Sequence, residues 1–212
     1  MGLTDERSYR ALLTDIGGVL LQNHWQQVAG DLARTVSIPR EELARILLRL
    51  CPPFDLGDES FEAFYQQVTA SLGTPVPLDT FRAAALDSGL QLISANVELL
   101  QRLRASSGVR IVAVSNMAQV VRDAIEAKFR LSQVFDAEAL SSRYHALKPG
   151  STIYHAAVGL AGCAADECVF VDDSEVNVRG AAELGIRGVQ VSGEPQEFRR
   201  VLEGLFHRPT VS

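Results

Sequence analysis

The chain has 212 residues, 47% of them hydrophobic and 22% charged, and a formal net charge of -6. Such a length holds one domain with an insertion or two small domains, and such a composition excludes a disordered chain. The acidic balance and the scatter of basic residues argue against nucleic acid or an anionic membrane as partner, and no run approaches the roughly 18 apolar residues of a membrane span.

The opening residues Met1 to Arg10 are polar and mixed in charge, which is not the pattern of a secretory signal. Three cysteines, Cys51, Cys163 and Cys168, have no C-x-x-C spacing and suggest neither a disulfide framework nor a zinc site. They read as small buried hydrophobes in a reducing compartment, which places the protein in the cytoplasm.

A first strand spans Arg10 to Asp15, an apolar run that delivers one carboxylate and stops at Gly17-Gly18. From Gln22 to Gly89 the pattern is helical. One helix is expected from His24 to Val36. A second opens at Pro39-Arg40-Glu41-Glu42, carries Leu43, Ile46, Leu47 and Leu50 on one face, and stops at Cys51-Pro52-Pro53. Asp58 or Ser60 caps a third helix bearing Phe61, Phe64, Tyr65 and Val68, and a fourth runs from Leu78 to Leu86. Alternation follows. Asn96 to Ala105 is helical, Val109 to Val114 is a β-branched strand ending at Ser115-Asn116, and Met117 to Lys128 is a helix with Val120, Val121, Ala124 and Ile125 on its apolar face. A weaker strand, Val134 to Leu140, leads through a polar loop to Lys148-Pro149 and a helix from Thr152 to Leu160. Strand Cys168 to Val171 ends at Asp172-Asp173, a helix runs from Val176 to Leu184, and a last strand, Gly188 to Val191, precedes a helix from Glu197 to Leu205. His207 to Ser212 reads as a frayed tail.

Strands alternating with helices predict an α/β fold, a three-layer Rossmann-like parallel sheet reached by right-handed crossovers. The helical block is too long for one crossover. Residues 1–21 and 90–212 are therefore expected to form the core, and residues 22–89 an inserted all-helical domain.

In an open parallel sheet, ligands bind outside the carboxyl ends of the strands. Asp15, Ser115 and Asp172-Asp173 all end strands, and Lys148 follows another, so these groups should converge although they are distant in sequence. Each has an ordinary explanation alone, Ser115 as a helix cap or Lys148 as a surface lysine, but four coincidences at one edge are much less expected. Carboxylates crowded at one crevice raise one another's pKa unless a cation is present, and a hard divalent ion with oxygen ligands resolves the repulsion. A lysine, a serine hydroxyl and the backbone amides of Asn116 and Gly18 could then grip a phosphate, beside which an aspartate can act as nucleophile.

These residues resemble the haloacid dehalogenase superfamily of hydrolases over nearly the whole chain. Asp15-Ile16-Gly17-Gly18-Val19-Leu20 looks like its first motif, Val114-Ser115-Asn116 its second, Lys148-Pro149 its third, and Val171-Asp172-Asp173-Ser174 with Asn177 and Gly180-Ala181 its fourth. The helical block is similar to the family's cap, which closes over the site and selects substrates. The resemblance implies that Asp15, assisted by Lys148, is the catalytic nucleophile. It implies a Mg2+ site made by Asp15, the Gly17 carbonyl, Asp172 and Asp173, with Asp173 the direct contact of the acidic pair. It also implies that Ser115 and Lys148 hold the phosphate.

One position departs from the family's commonest phosphatase pattern, which has a second aspartate, acting as general acid and base, where this chain has Gly17. A subset of the superfamily's phosphatases shares the Asp-x-Gly-x-Val form. The proton for the leaving group would then come from the cap or from water, with His24 a candidate, and alkyl esters would suffer most from a missing acid. Asn177 is expected beside the metal ligands rather than among them, and His145 on the loop surface. The reading favoured is a magnesium-dependent phosphatase of a small phosphorylated metabolite, such as a sugar phosphate or nucleotide. The alternatives are a metal-independent 2-haloacid dehalogenase, which has no use for the Asp172-Asp173 pair, and a catalytically weak phospho-ligand-binding protein, which has no use for a nucleophile. The oligomeric state is left open.

Overall fold

A computed structural model describes residues 9–206. The expectations for Met1 to Ser8 and for the tail from His207 lie outside the described residues. Five strands, β1 (Ala11–Thr14), β2 (Arg110–Ser115), β3 (Ala137–Leu140), β4 (Cys168–Asp172) and β5 (Arg187–Gln190), form one parallel sheet in the order β3-β2-β1-β4-β5. β1 is central and fully buried on both faces, which is why its sequence is an unbroken apolar run rather than an alternating one. Ala11 and Leu13 point, with Val112, Val114 and Phe170, toward the helices α8 (Ser151–Ala161) and α9 (Glu175–Ala182). Leu12 points the other way, with Ile111, Val169 and Val171, toward α5 (Ser94–Ser107), α6 (Gln119–Phe129) and α10 (Pro195–Phe206). This is the three-layer arrangement expected.

Between β1 and β2 lie α1 (His24–Ala33), α2 (Arg40–Leu56), α3 (Phe61–Leu72), α4 (Leu78–Ala83) and a wider turn of helix, Ala84–Ser88. Ser60 caps α3 by accepting the Ala63 N–H at 3.1 Å. An aromatic cluster fills the insert, with Phe54 stacked on Phe64 at 4.6 Å between centroids and Trp25, Phe61 and Phe81 around them. Its entry and exit are stitched together, Gln22 N–H donating to Gln91 O and Ile93 N–H to Leu20 O, each at 2.8 Å. Among the described residues no helix is long and apolar enough to cross a membrane.

Two expectations are corrected. The second helix does not stop at Cys51-Pro52-Pro53. It runs on to Leu56 and ends at Gly57 in the left-handed conformation (φ +81°). The prolines remove two N–H groups from the ladder, but the turn beyond them buries Phe54 in the aromatic cluster, and that packing holds the helix together. The third strand begins at Ala137, not Val134. Leu131–Gln133 is a tight turn, and Asp136 takes over the edge of β2, its carboxylate accepting the Ile111 N–H at 2.8 Å. On α6, Val121 and Ile125 are buried as expected, but so is Arg122, paired with Glu138 of β3 and Glu126.

A short helix, α7 (Ser141–Tyr144), joins β3 to the Lys148 loop and packs on the end of α2. This contact ties the insert to the sheet's carboxyl edge.

Candidate active site

Strand register sets the site. Thr14 is opposite Ala113 and Val171, and the Asp15 N–H donates to Val171 O at 2.9 Å, so Asp15 is level with Asp172. Asp15 Oδ1 accepts from the Ser115 hydroxyl at 2.8 Å, the Ile16 N–H at 2.7 Å and Lys148 Nζ at 2.9 Å. The same ammonium reaches Asp172 Oδ2 at 2.7 Å, and its side chain is buried. Asp172 is fully enclosed, and its carboxylate also accepts the Ser174 N–H at 2.8 Å and the Asn177 amide at 3.1 and 3.2 Å. Asn177 thus stands beside the acidic pair, steadying Asp172.

Asp173 is placed differently. It makes no ion pair among the described residues, and its carboxylate lies over Gly18, where any Cβ would come within 2.1 Å of Oδ2. Gly18, with φ +73°, has to be glycine for this approach and for its backbone. One carboxylate oxygen each from Asp15, Asp172 and Asp173 lies within 4.8 Å of the others. Burial, reinforced by Asp172, pushes Asp15 up to about 7 against the pull of Lys148. Burial and then Asp172 raise Asp173 too. Burial works against the charge of Lys148, but Asp15 and Asp172 outweigh it and raise its pKa. Three carboxylates face one ammonium. An all-oxygen set with surplus negative charge fits a hard divalent cation.

The Lys148 loop is fixed from two sides. The Asn116 side chain accepts the Lys148 N–H at 2.8 Å and donates to Lys148 O at 3.2 Å. α9 passes so close that a Cβ at Gly180 would lie 2.7 Å from the Pro149 ring. A cavity of about 260 Å³ opens above Asp15, lined also by Gly17, Ser115, Asn116, Lys148 and Asp173, and from the insert by His24 and Asp55. Gly18 is not part of its wall and faces Asp173 instead. The region around Gly17 is open: a Cβ there would meet nothing within 4 Å.

His24 does not have the chemistry of an acid. Its Nε2 is 2.8 Å from Ala85 O, and burial lowers the ring to about 4, so it is neutral at pH 7. His145 is exposed and meets Asp58 at 3.4 Å. Cys51 and Cys168 are buried and Cys163 half-buried, all three as thiols.

Two residues escaped sequence reasoning. Asn96 is buried and donates to Val19 O at 2.7 Å and Gly193 O at 2.9 Å, pinning the loop after β1; an asparagine in the first turn of α5 gives no signal of this. Asp55 lines the cavity from the last turn of α2. Its signal is the spacing Cys51, Asp55 on one helical face, which is lost if the helix is ended at Pro52.

The haloacid dehalogenase-like hydrolase family matches residues 9–185. Among solved structures, a HAD family enzyme of Bacteroides thetaiotaomicron, as a mutant in complex with magnesium and inorganic phosphate, is similar at 25% identity and TM-score 0.72, over 88% of this chain and 96% of that one. A HAD-like family hydrolase of Porphyromonas gingivalis shares the fold at 20% identity and TM-score 0.74, over 95% and 100%. L-2-haloacid dehalogenase of Xanthobacter autotrophicus does so at 19% identity and TM-score 0.65, over 84% and 75%.

Proposed function

The chain belongs to the haloacid dehalogenase-like hydrolases, and from that premise we propose that it is a magnesium-dependent phosphatase of a small phosphomonoester, such as a sugar phosphate or nucleotide. The observation that carries this reading is the third carboxylate. Lys148 is satisfied by Asp15 and Asp172, so Asp173 is not needed to hold it. Attack of an aspartate on a carbon–halogen bond needs no such surplus charge at the edge of the site. The Bacteroides enzyme, which binds magnesium and phosphate, supports the same reading.

Three donors on Asp15 Oδ1 orient the carboxylate, one oxygen of which would bond to phosphorus and form an aspartyl-phosphate. Ser115 and Lys148, both lining the cavity, would hold the phosphoryl oxygens. Asp15, Asp173 and the Gly17 carbonyl would hold the magnesium, with Asp172 beside them orienting Lys148. When bound, the ion neutralises charge on the phosphoryl group and the carboxylates. Residues 22–89 would act as a cap over a core made, among the described residues, of 9–21 and 90–206, since His24 and Asp55 of the insert line the cavity with Asp15. The cavity, of about 260 Å³, suits a small metabolite better than a polymer.

Phosphate release from a panel of metabolites, with and without magnesium, tests the reading. Asp15→Asn should lower kcat by roughly 10³-fold or more, because a neutral amide cannot attack phosphorus. A variant within a few-fold of wild type would remove Asp15 from the nucleophile's role. Halide release from a 2-haloacid in excess chelator, with no phosphatase activity, would establish the dehalogenase instead.

A further inference from the structure

Gly17 has no side chain with which to move a proton, yet a phosphomonoester with an alkoxide leaving group needs one at the ester oxygen. The titratable side chains around the cavity are few. Asp15, Lys148 and Asp173 belong to the charged cluster. His24 is neutral and bonded to Ala85, and the Cys51 thiol lies 3.5 Å from Leu48 O with its pKa pushed far up by burial and Asp55. Asp55 is left.

We propose that Asp55, carried by the insert, is the general acid and base of the reaction, replacing the carboxyl that Gly17 lacks. The proposal rests on the phosphatase reading above. Its geometry comes from Ser141. This buried hydroxyl donates to Asp55 O at 2.6 Å and accepts the Met117 N–H at 2.8 Å, two residues after Ser115. The last turn of α2 is thereby bolted to the loop that carries the phosphate-binding serine. Asp55 is accordingly fixed to the sheet edge although it belongs to the insert.

Its chemistry also suits the task. The side chain is buried at the cavity wall, faced by the Cys51 thiol from its own helix and by the Ala118 N–H from the start of α6. Both favour the carboxylate, but burial outweighs them and pushes the group up to about 7. Neutral solution thus holds it in both forms, as a group that gives and then retrieves a proton must be. In the first step an Asp15 oxygen bonds to phosphorus, the ester P–O bond breaks with its electron pair going to the leaving oxygen, and Asp55 gives that oxygen its proton. In the second, a water oxygen bonds to phosphorus, its proton goes to the Asp55 carboxylate, and the Asp15–phosphorus bond breaks to release phosphate.

The test is a leaving-group series on wild type and Asp55→Asn, with magnesium present. Wild type should show kcat/KM nearly independent of leaving-group basicity. Asp55→Asn should lose roughly 10²–10⁴-fold in kcat/KM on alkyl phosphates but less than tenfold on p-nitrophenyl phosphate, whose phenolate leaves unaided. Because the second step also loses its base, the variant should release a stoichiometric burst of p-nitrophenol before a slow steady state. A steep series in wild type, which needs no variant, would overturn the proposal, as would equal losses on alkyl and aryl esters. A wild type inactive on every ester would instead sink the phosphatase reading itself, and the proposal with it.

Discussion

Single residues in this site have opposite electrostatic preferences, and pH separates them. His24 is held near 4 against an ordinary 6.5, so between those values the unfolded chain binds a proton that the folded one does not. Its contribution is complete above pH 6.5 and is lost as pH falls toward 4, about 3 kcal/mol in all. Asp55 is held near 7 against an ordinary 3.8, so the folded chain keeps a proton that the unfolded one has released. Its contribution is complete below pH 3.8 and is lost as pH rises toward 7, about 4 kcal/mol in all. The two slopes oppose each other between about pH 4 and 6.5. Urea unfolding should therefore show His24→Gln losing the acid-side decline, and Asp55→Asn gaining stability relative to wild type as pH rises from 4 to 8. Comparing each variant with wild type cancels the titration of Asp15. Slopes identical to wild type would show that neither residue is buried as described. A gain for Asp55→Asn fits a residue kept for chemistry at the expense of stability.

At the scale of elements, α2 shows why part of the site was legible and part was not. Asp15, Ser115, Lys148 and the Asp172-Asp173 pair could be read because each sits at the end of an apolar run or just after one, and a parallel sheet gathers such ends whatever lies between. Asp55 depends on whether a helix survives two prolines. Local propensity says it does not, and only the tertiary packing of Phe54 on Phe64 says it does. The same limit hid Ser141, whose two partners lie in other elements, 86 and 24 residues away. Ser141→Ala would leave the Asp55 carbonyl and the Met117 N–H without that partner in a dry interior. The expected cost is about 1–3 kcal/mol in urea unfolding. With the end of α2 loosened, alkyl phosphate turnover should fall more than aryl phosphate turnover. Loss of stability with both substrates equally affected would reduce Ser141 to packing alone.

In the molecule as a whole, the insert is a separate block in sequence but not in its interior. One continuous apolar core runs from Leu32, Leu43 and Phe64 of the insert to Leu12, Ile111 and Val171 of the sheet. The linkers are hydrogen-bonded to each other, Ser141 bolts α2 down, and Lys128 of α6 reaches Asp87 Oδ1 at 2.7 Å. A domain boundary is ordinarily a place where few contacts cross. Here many do, so core and insert should unfold together. The chain supplies its own probe, because its single tryptophan, Trp25, is in the insert while most of the strand and helix signal comes from the whole. Urea curves followed by Trp25 fluorescence and by far-ultraviolet circular dichroism should coincide. On the proposed reading magnesium binds at the sheet edge, and it should then move both curves by the same amount, about 2.7 kcal/mol at a hundredfold excess over its Kd. Asp173→Ala should abolish that shift. A fluorescence transition at lower urea than the dichroism, or a magnesium shift in the dichroism alone, would show that the insert opens as an independent unit.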